Sequence, residues 1–146
     1  TFTPAMQQLI TQYCKRGGNI LVSGSYVGSD MNNSDVEKSF TEDILKYSFQ
    51  NSMQNTGSGS IFGLGRTFTI PRQVNEHTYS VPAPDCIAPV SPAFPAIKYV
   101  EGNCGAATAY KGDYRTFIMG FPFESIDTEK HRAEIMAGIL QFLSGR

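Results

Sequence analysis

Asn19-Ile20-Leu21-Val22-Ser23-Gly24-Ser25-Tyr26-Val27-Gly28 is the stretch whose reading decides the fold. Gly17-Gly18 introduces a short apolar run over residues 20–23, and Gly24 ends it. A β-branched and aliphatic run of that length, bounded by glycines, reads as a strand buried on both faces. Gly24-x-Tyr26-x-Gly28 comes next, and Ser34-Asp35-Val36-Glu37 is a capping box that opens a helix to about Leu45. Strand, glycine turn and helix together have the pattern of a nucleophile elbow. There the central residue sits in a strained turn at the carboxyl end of a sheet, between glycines because nothing larger fits. Tyr26 holds the place of a Ser or Cys nucleophile, which points away from catalysis.

Before this stretch, Thr3-Pro4 is a helix start, with Thr3 as N-cap and Pro4 at the first helical position. Met6, Leu9, Ile10, Tyr13 and Cys14 then form one apolar stripe, and Lys15, Arg16 and Gly17 close the helix. Helix, glycine turn and buried strand make the second half of a βαβ unit, which needs a parallel partner strand. The chain begins at Thr1 on a helix cap. It is therefore expected to be a piece of a longer protein, with one or two strands supplied by the parent or by a partner chain.

Downstream, Tyr47 and Phe49 alternate with polar residues as in a half-exposed strand. Residues 56–104 are rich in proline and glycine, and short alternating runs at Thr67-Phe68-Thr69-Ile70 and His77-Thr78-Tyr79-Ser80-Val81 predict edge or antiparallel strands. This region is expected to be a loop-rich insertion within a single domain spanning 1–146. Gly105 to Tyr110 and Tyr114 to Phe121, joined by Lys111-Gly112-Asp113, predict a hairpin. Thr128 caps a last helix with Ile135, Met136, Ile139, Leu140 and Leu143 turned to the core and Gly145 past its end.

Hydrophobic residues make up 40% and charged residues 17%, enough apolar content for a core and too little charge for a disordered chain. The net charge of −1 is spread without a basic patch, so no nucleic-acid partner is expected. No apolar run approaches the roughly 18 residues of a membrane span. Cys14, Cys86 and Cys104 are an odd number without a CxxC and identify no disulfide or metal framework. Cys14 falls on the apolar helix stripe, while Cys104 is expected to be more exposed. The only histidines, His77 and His131, lack a carboxylate at ligand spacing, so no metal is expected, and His131 is expected to be solvated. Gly57, Gly59, Gly63 and Gly65 miss the dinucleotide spacing and read as a flexible hairpin, so no cofactor is expected.

Two motifs carry a family resemblance. The Gly24-x-Tyr26-x-Gly28 turn resembles the Gly-x-Cys-x-Gly elbow of class I glutamine amidotransferase-like domains. Gly120-Phe121-Pro122-Phe123-Glu124 resembles their Phe-His-Pro-Glu strand end, with Phe121 and Glu124 matching and Pro122 in place of the His. More narrowly, residues 17–30, 79–89 and 114–126 resemble the amidotransferase-like domain of large secreted bacterial proteins often labelled xanthan lyase. The resemblance implies a flavodoxin-like α/β fold, a three-layer sandwich with a mostly parallel sheet, an antiparallel proline-rich insertion and a missing amino-terminal part. It also implies a secreted or cell-surface location.

Without a Cys or a His the family's triad cannot operate, because a tyrosine hydroxyl with a pKa near 10 is a poor substitute. The expected function is a non-catalytic module of a secreted multidomain protein, in scaffolding or glycan contact. Its partners would be other domains of the parent chain or a polysaccharide. The alternative is a polysaccharide lyase or hydrolase using the groove above Tyr26, where a Tyr or His abstracts a proton while Arg neutralises a uronate. Tyr26 and Glu124 are the catalytic candidates, and Ser25, Tyr26, Asp30, His77 and Arg115 the binding candidates, with Arg66 and Arg72 as further cations for a lyase. Glu124, following a strand, is expected to be part buried and to brace the elbow loop. Tyr47, Phe49, Phe62, Phe68, Tyr79, Phe94 and Tyr99 include candidates for a sugar-stacking platform.

Overall fold

The structure is a computed structural model that describes residues 1–53, 59–70, 81 and 83–145. The first helix, α1 (Pro4–Lys15), starts where its cap predicts, with the Thr3 hydroxyl accepting the Met6 amide. It leads into β1 (Ile20–Ser23). Ser34 caps a short helix, α2 (Asp35–Ser39), which widens into a π-helical turn over Phe40–Leu45 and stops at Lys46, in the left-handed region. The remaining strands are β2 (Tyr47–Ser52), β3 (Ser60–Gly63), β4 (Arg66–Thr69), β5 (Asp85–Pro89), β6 (Phe94–Tyr99), β7 (Cys104–Lys111) and β8 (Arg115–Met119). Thr128 caps the last helix, α3 (Glu129–Ser144), and Gly145 closes it at φ 76°.

One six-stranded sheet runs in the order β1-β8-β7-β6-β3-β4, and β2 and β5 form a separate ribbon. Among the described strands only β1 and β8 pair in parallel. The expected three-layer, mostly parallel, flavodoxin-like sandwich is therefore wrong: this is a mixed, mostly antiparallel sheet that curls into a half-barrel. The cause lies in the connections. Parallel neighbours need a crossover of a dozen or more residues, whereas short turns force antiparallel pairing. Leu64-Gly65, with φ values of 52° and 74°, closes the β3–β4 hairpin in the twist that hairpins favour. Lys111 to Arg115 closes β7–β8 just as tightly. The proline-rich region is not an appendage either, since β3, β4 and β6 are half of the main sheet. Its predicted strand at 77–81 lies outside the described residues except for Val81.

The core divides between the sheet's faces. Phe117 and Met119 of β8 share a buried cluster with Ile135 and Ile139 of α3. Ile118 joins Met31, Phe40, Leu45, Tyr47 and Ile87, with Phe2 and Ile10 packed against them. The expected helix faces are only partly right: Leu140 is exposed, and on α1 only Cys14 is buried. Cys86 and Cys104, which the sequence left unassigned, form a disulfide that ties β5 to the start of β7. Cys104 is thus not a free thiol. With 18 residues separating the partners, replacing both cysteines by serine is expected to lower stability by about 3 kcal/mol, read from denaturant unfolding of the oxidised parent and the variant.

The far edge of the sheet is fastened to α3 by Asp127. Its amide donates to the Thr69 carbonyl, and its carboxylate accepts the Thr69 amide and hydroxyl, the Thr128 amide and a 2.7 Å bond with His131 Nδ1. His131 is therefore engaged in the first turn of α3 and not simply solvated. Part-burial raises the Asp127 carboxyl pKa, but hydrogen bonds from His131 and Thr69 outweigh this and hold it below the ordinary value. A carboxyl whose folded pKa is depressed adds stability above its unfolded pKa and loses it as pH falls through the folded one. Asp127→Ala should therefore cost about 1–2 kcal/mol at neutral pH. The gap to the parent should close as unfolding is measured at pH values below the carboxylate range.

Candidate functional site

The turn after β1 is the site candidate, and its geometry differs from an elbow. Neither Tyr26 nor Gly24 nor Gly28 has a positive φ, so the strain of a nucleophile elbow is absent. Residues 25–28 instead form hydrogen-bonded turns, with the Asp30 amide donating to the Tyr26 carbonyl, that run into a short 3-10 helix over Ser29–Met31. Gly28 is needed for space: a Cβ there would lie 2.8 Å from the Phe49 ring and 3.3 Å from an Asp85 carboxylate oxygen.

Asp85 holds this turn. Its residue has no solvent exposure, and one carboxylate oxygen accepts the amides of Gly28 and Ser29, both at 2.9 Å, and the Ser29 hydroxyl at 3.1 Å. The other oxygen accepts the Ser52 hydroxyl at 3.0 Å. A buried carboxylate without such donors would cost several kcal/mol. The Asp85 main chain is fixed as well, donating to Gly120 O and accepting from the Tyr99 hydroxyl. β5 lies so close to the main sheet that a Cβ at Gly120 would come within 2.3 Å of the Asp85 carbonyl, and one at Gly105 within 2.1 Å of that of Ile87. Burial first, and the Asp85 charge second, push the Tyr47 and Tyr99 phenols well above their ordinary pKa, so both stay neutral donors. Tyr47 uses its hydroxyl to hold the Val27 carbonyl. The Ser23 hydroxyl accepts the Phe123 amide and donates to the Phe121 carbonyl, joining the end of β1 to the chain leaving β8.

On this support Tyr26 stands half exposed, at 50%, its carbonyl accepting the Asp30 amide and its hydroxyl without a hydrogen-bond partner among the described residues. It borders a cleft of about 310 Å³ between the start of α1 and the end of β1, lined among others by Phe2, Met6, Val22, Ser25 and Asp30. The Thr1 ammonium and hydroxyl reach Asp30 at 3.3 and 2.9 Å. Ser25, Tyr26 and Asp30 are thus brought together. The other candidates are not. Arg115 lies at the opposite end of β8, where its guanidinium donates to Phe142 O and stacks 5.5 Å over that ring. Arg66 pairs with Glu134 of α3. His77 and Arg72 lie outside the described residues. Of the proposed stacking aromatics, Tyr47, Phe68 and Tyr99 are core, Phe49 is half-buried with its ring against Gly28, Phe62 and Phe94 are exposed on other strands, and Tyr79 lies outside the described residues.

Glu124 was expected to brace the turn. It is exposed on the short 3-10 helix at Phe123–Ser125 and has no hydrogen bond or ion pair among the described residues. Its match to the family motif is coincidental, and Asp85 does what was assigned to it. A lone acid heading the apolar run Asp85-Cys86-Ile87-Ala88 was the available signal, since an acid in such a strand must find donors.

Comparison with known proteins agrees with the corrected fold. The chain matches no protein-family model and no curated protein. Among solved structures it is similar to the mmIFT52 N-terminal domain, with a TM-score of 0.64 and 16% identity over 97% of this chain and 72% of that one. It is also similar to part of an exo-β-1,4-mannosidase, Op5Man5 from Opitutaceae bacterium strain TAV5. That match has a TM-score of 0.57 and 10% identity over 96% of this chain but only 23% of the mannosidase. At such identities the likeness is one of fold. With the mixed sheet, these neighbours overturn the glutamine amidotransferase-like, flavodoxin-like assignment.

Asp85→Ala leaves the Gly28 and Ser29 amides buried without an acceptor and should lower stability by about 3 kcal/mol or more. Glu124→Ala, on an exposed side chain, should stay within about 0.5 kcal/mol of the parent. Paired urea titrations of the two variants check both outcomes.

Proposed function

We propose that this chain is a non-catalytic contact module of a larger secreted or cell-surface protein, and that the cleft beside Tyr26 contacts a glycan. One observation carries the reading: an exposed aromatic ring is presented on a turn that a buried carboxylate holds rigid. A rigid aromatic offers contact area with little conformational entropy to lose on binding. Its ring face suits the apolar face of a sugar, while Ser25 and Asp30 in the same cleft offer hydrogen-bonding groups to the hydroxyl rim. The Cys86–Cys104 disulfide supports an oxidising compartment. Both solved neighbours support a module: one is named as an N-terminal domain, and the other matches over less than a quarter of its length. The lyase alternative loses support because Arg66 and Arg115 are engaged away from the cleft.

Calorimetric titration with neutral and acidic oligosaccharides tests the proposal. Binding should weaken at least about tenfold in Tyr26→Ala, the loss of roughly 1.4 kcal/mol, while the unfolding midpoint stays put. Equal binding by the variant, or none by the parent, contradicts glycan contact. Release of ultraviolet-absorbing unsaturated uronate by the parent, lost in Tyr26→Phe, would contradict the non-catalytic assignment.

A further inference from the structure

The two edges of the sheet are treated differently. β4, at one edge, is fastened at Thr69 to Asp127 and carries Arg66 paired with Glu134. β1, at the other, pairs only with β8 among the described strands, and Ile20-Leu21-Val22-Ser23 contains no charge and no proline to blunt it. An open edge of this kind offers unpaired amides and carbonyls to another strand.

Beside that edge runs an apolar stripe with no cover. Met6, Leu9 and Tyr13 of α1 are 44%, 65% and 53% exposed and recur at helical spacing. The stripe follows β1 along its length. Tyr13 lies against Gly18 and donates its hydroxyl to Asn19 O at one end, and Met6 lines the cleft with Val22 and Ser23 at the other. Charge is divided in the same direction. Lys15 and Arg16 are exposed at the far end of α1 and unpaired among the described residues, while Asp30, partly exposed and paired with the Thr1 ammonium at 3.3 Å, lies by its start.

We propose that this face binds a second copy of the chain, β1 pairing antiparallel with its counterpart about a two-fold axis so that two six-stranded sheets become one. A two-fold contact is self-complementary, setting each patch against itself in reverse. The reversal lays stripe against stripe and brings the partner subunit's Lys15 and Arg16 to Asp30. A net charge of −1 leaves little repulsion between copies. The same geometry puts the partner subunit's basic pair at the rim of the Tyr26 cleft.

Sedimentation equilibrium of the oxidised chain over a range of concentrations, with hydrogen exchange of residues 20–23, tests this. The expected result is a dimer whose β1 amides gain protection as it forms. Leu9→Lys, at an exposed position that leaves folding intact, should raise the dissociation constant at least tenfold. Lys15→Glu with Arg16→Glu should do the same, and adding Asp30→Lys should restore the dimer. A chain that stays monomeric at every concentration overturns the proposal and leaves the edge to a strand from another protein. A dimer indifferent to Leu9→Lys and to the charge exchange overturns it as well. Glycan binding is not the readout, so the two proposals fail separately.

Discussion

A carboxylate removed from water has to be met by donors from every side, and the Asp85 side chain is met by two backbone amides and two hydroxyls with no cation among them. Those donors come from Gly28-Ser29, after β1, and from Ser52 at the end of β2, segments far apart in sequence from each other and from Asp85. Satisfying one charge thus fixes where three pieces of chain meet. Glycines at 105 and 120 follow from the same constraint, because β5 approaches too closely for a Cβ, while Gly28 makes room first for the Phe49 ring of β2 and then for β5 and its carboxylate. The disulfide at Cys86, the next residue, anchors β5 from the other side.

Rigidity at this point separates the turn from an ordinary loop. Ser23, Tyr47 and Asp85 each hold a different part of it, through Phe121 and Phe123, through Val27, and through Gly28 and Ser29. Tyr26 is the side chain left outward on this frame. Its hydroxyl has no hydrogen-bond partner among the described residues.

Local features of the fold were legible because they rest on local physics. Thr3, Ser34 and Thr128 cap helices as their side chains dictate, and residues 20–23 form a strand. Pairing was not legible from the same signals. A short apolar run is equally consistent with a parallel or an antiparallel neighbour, and reading β1 as one member of a parallel series made the proline-rich region look like an insertion. The hairpin turns at Leu64-Gly65 and Lys111 to Arg115 held the contrary information. At the site, the glycine spacing found the right turn but suggested the wrong reason for it. Gly28 admits a carboxylate from β5, a contact across 57 residues that no local pattern reports. Glu124 matches a motif, whereas burial, which only the folded chain reveals, decides which acid braces the turn.

The central claim is that a loop is as firmly held as the core because it is bonded to a buried charge. Native-state hydrogen exchange of the Gly28 and Ser29 amides, compared with the amides of Phe117 to Met119 in β8, measures this directly. The account predicts that both sets exchange only through global unfolding, with the same dependence on denaturant. Exchange of Gly28 and Ser29 through a low-energy local opening, while β8 stays protected, would contradict it.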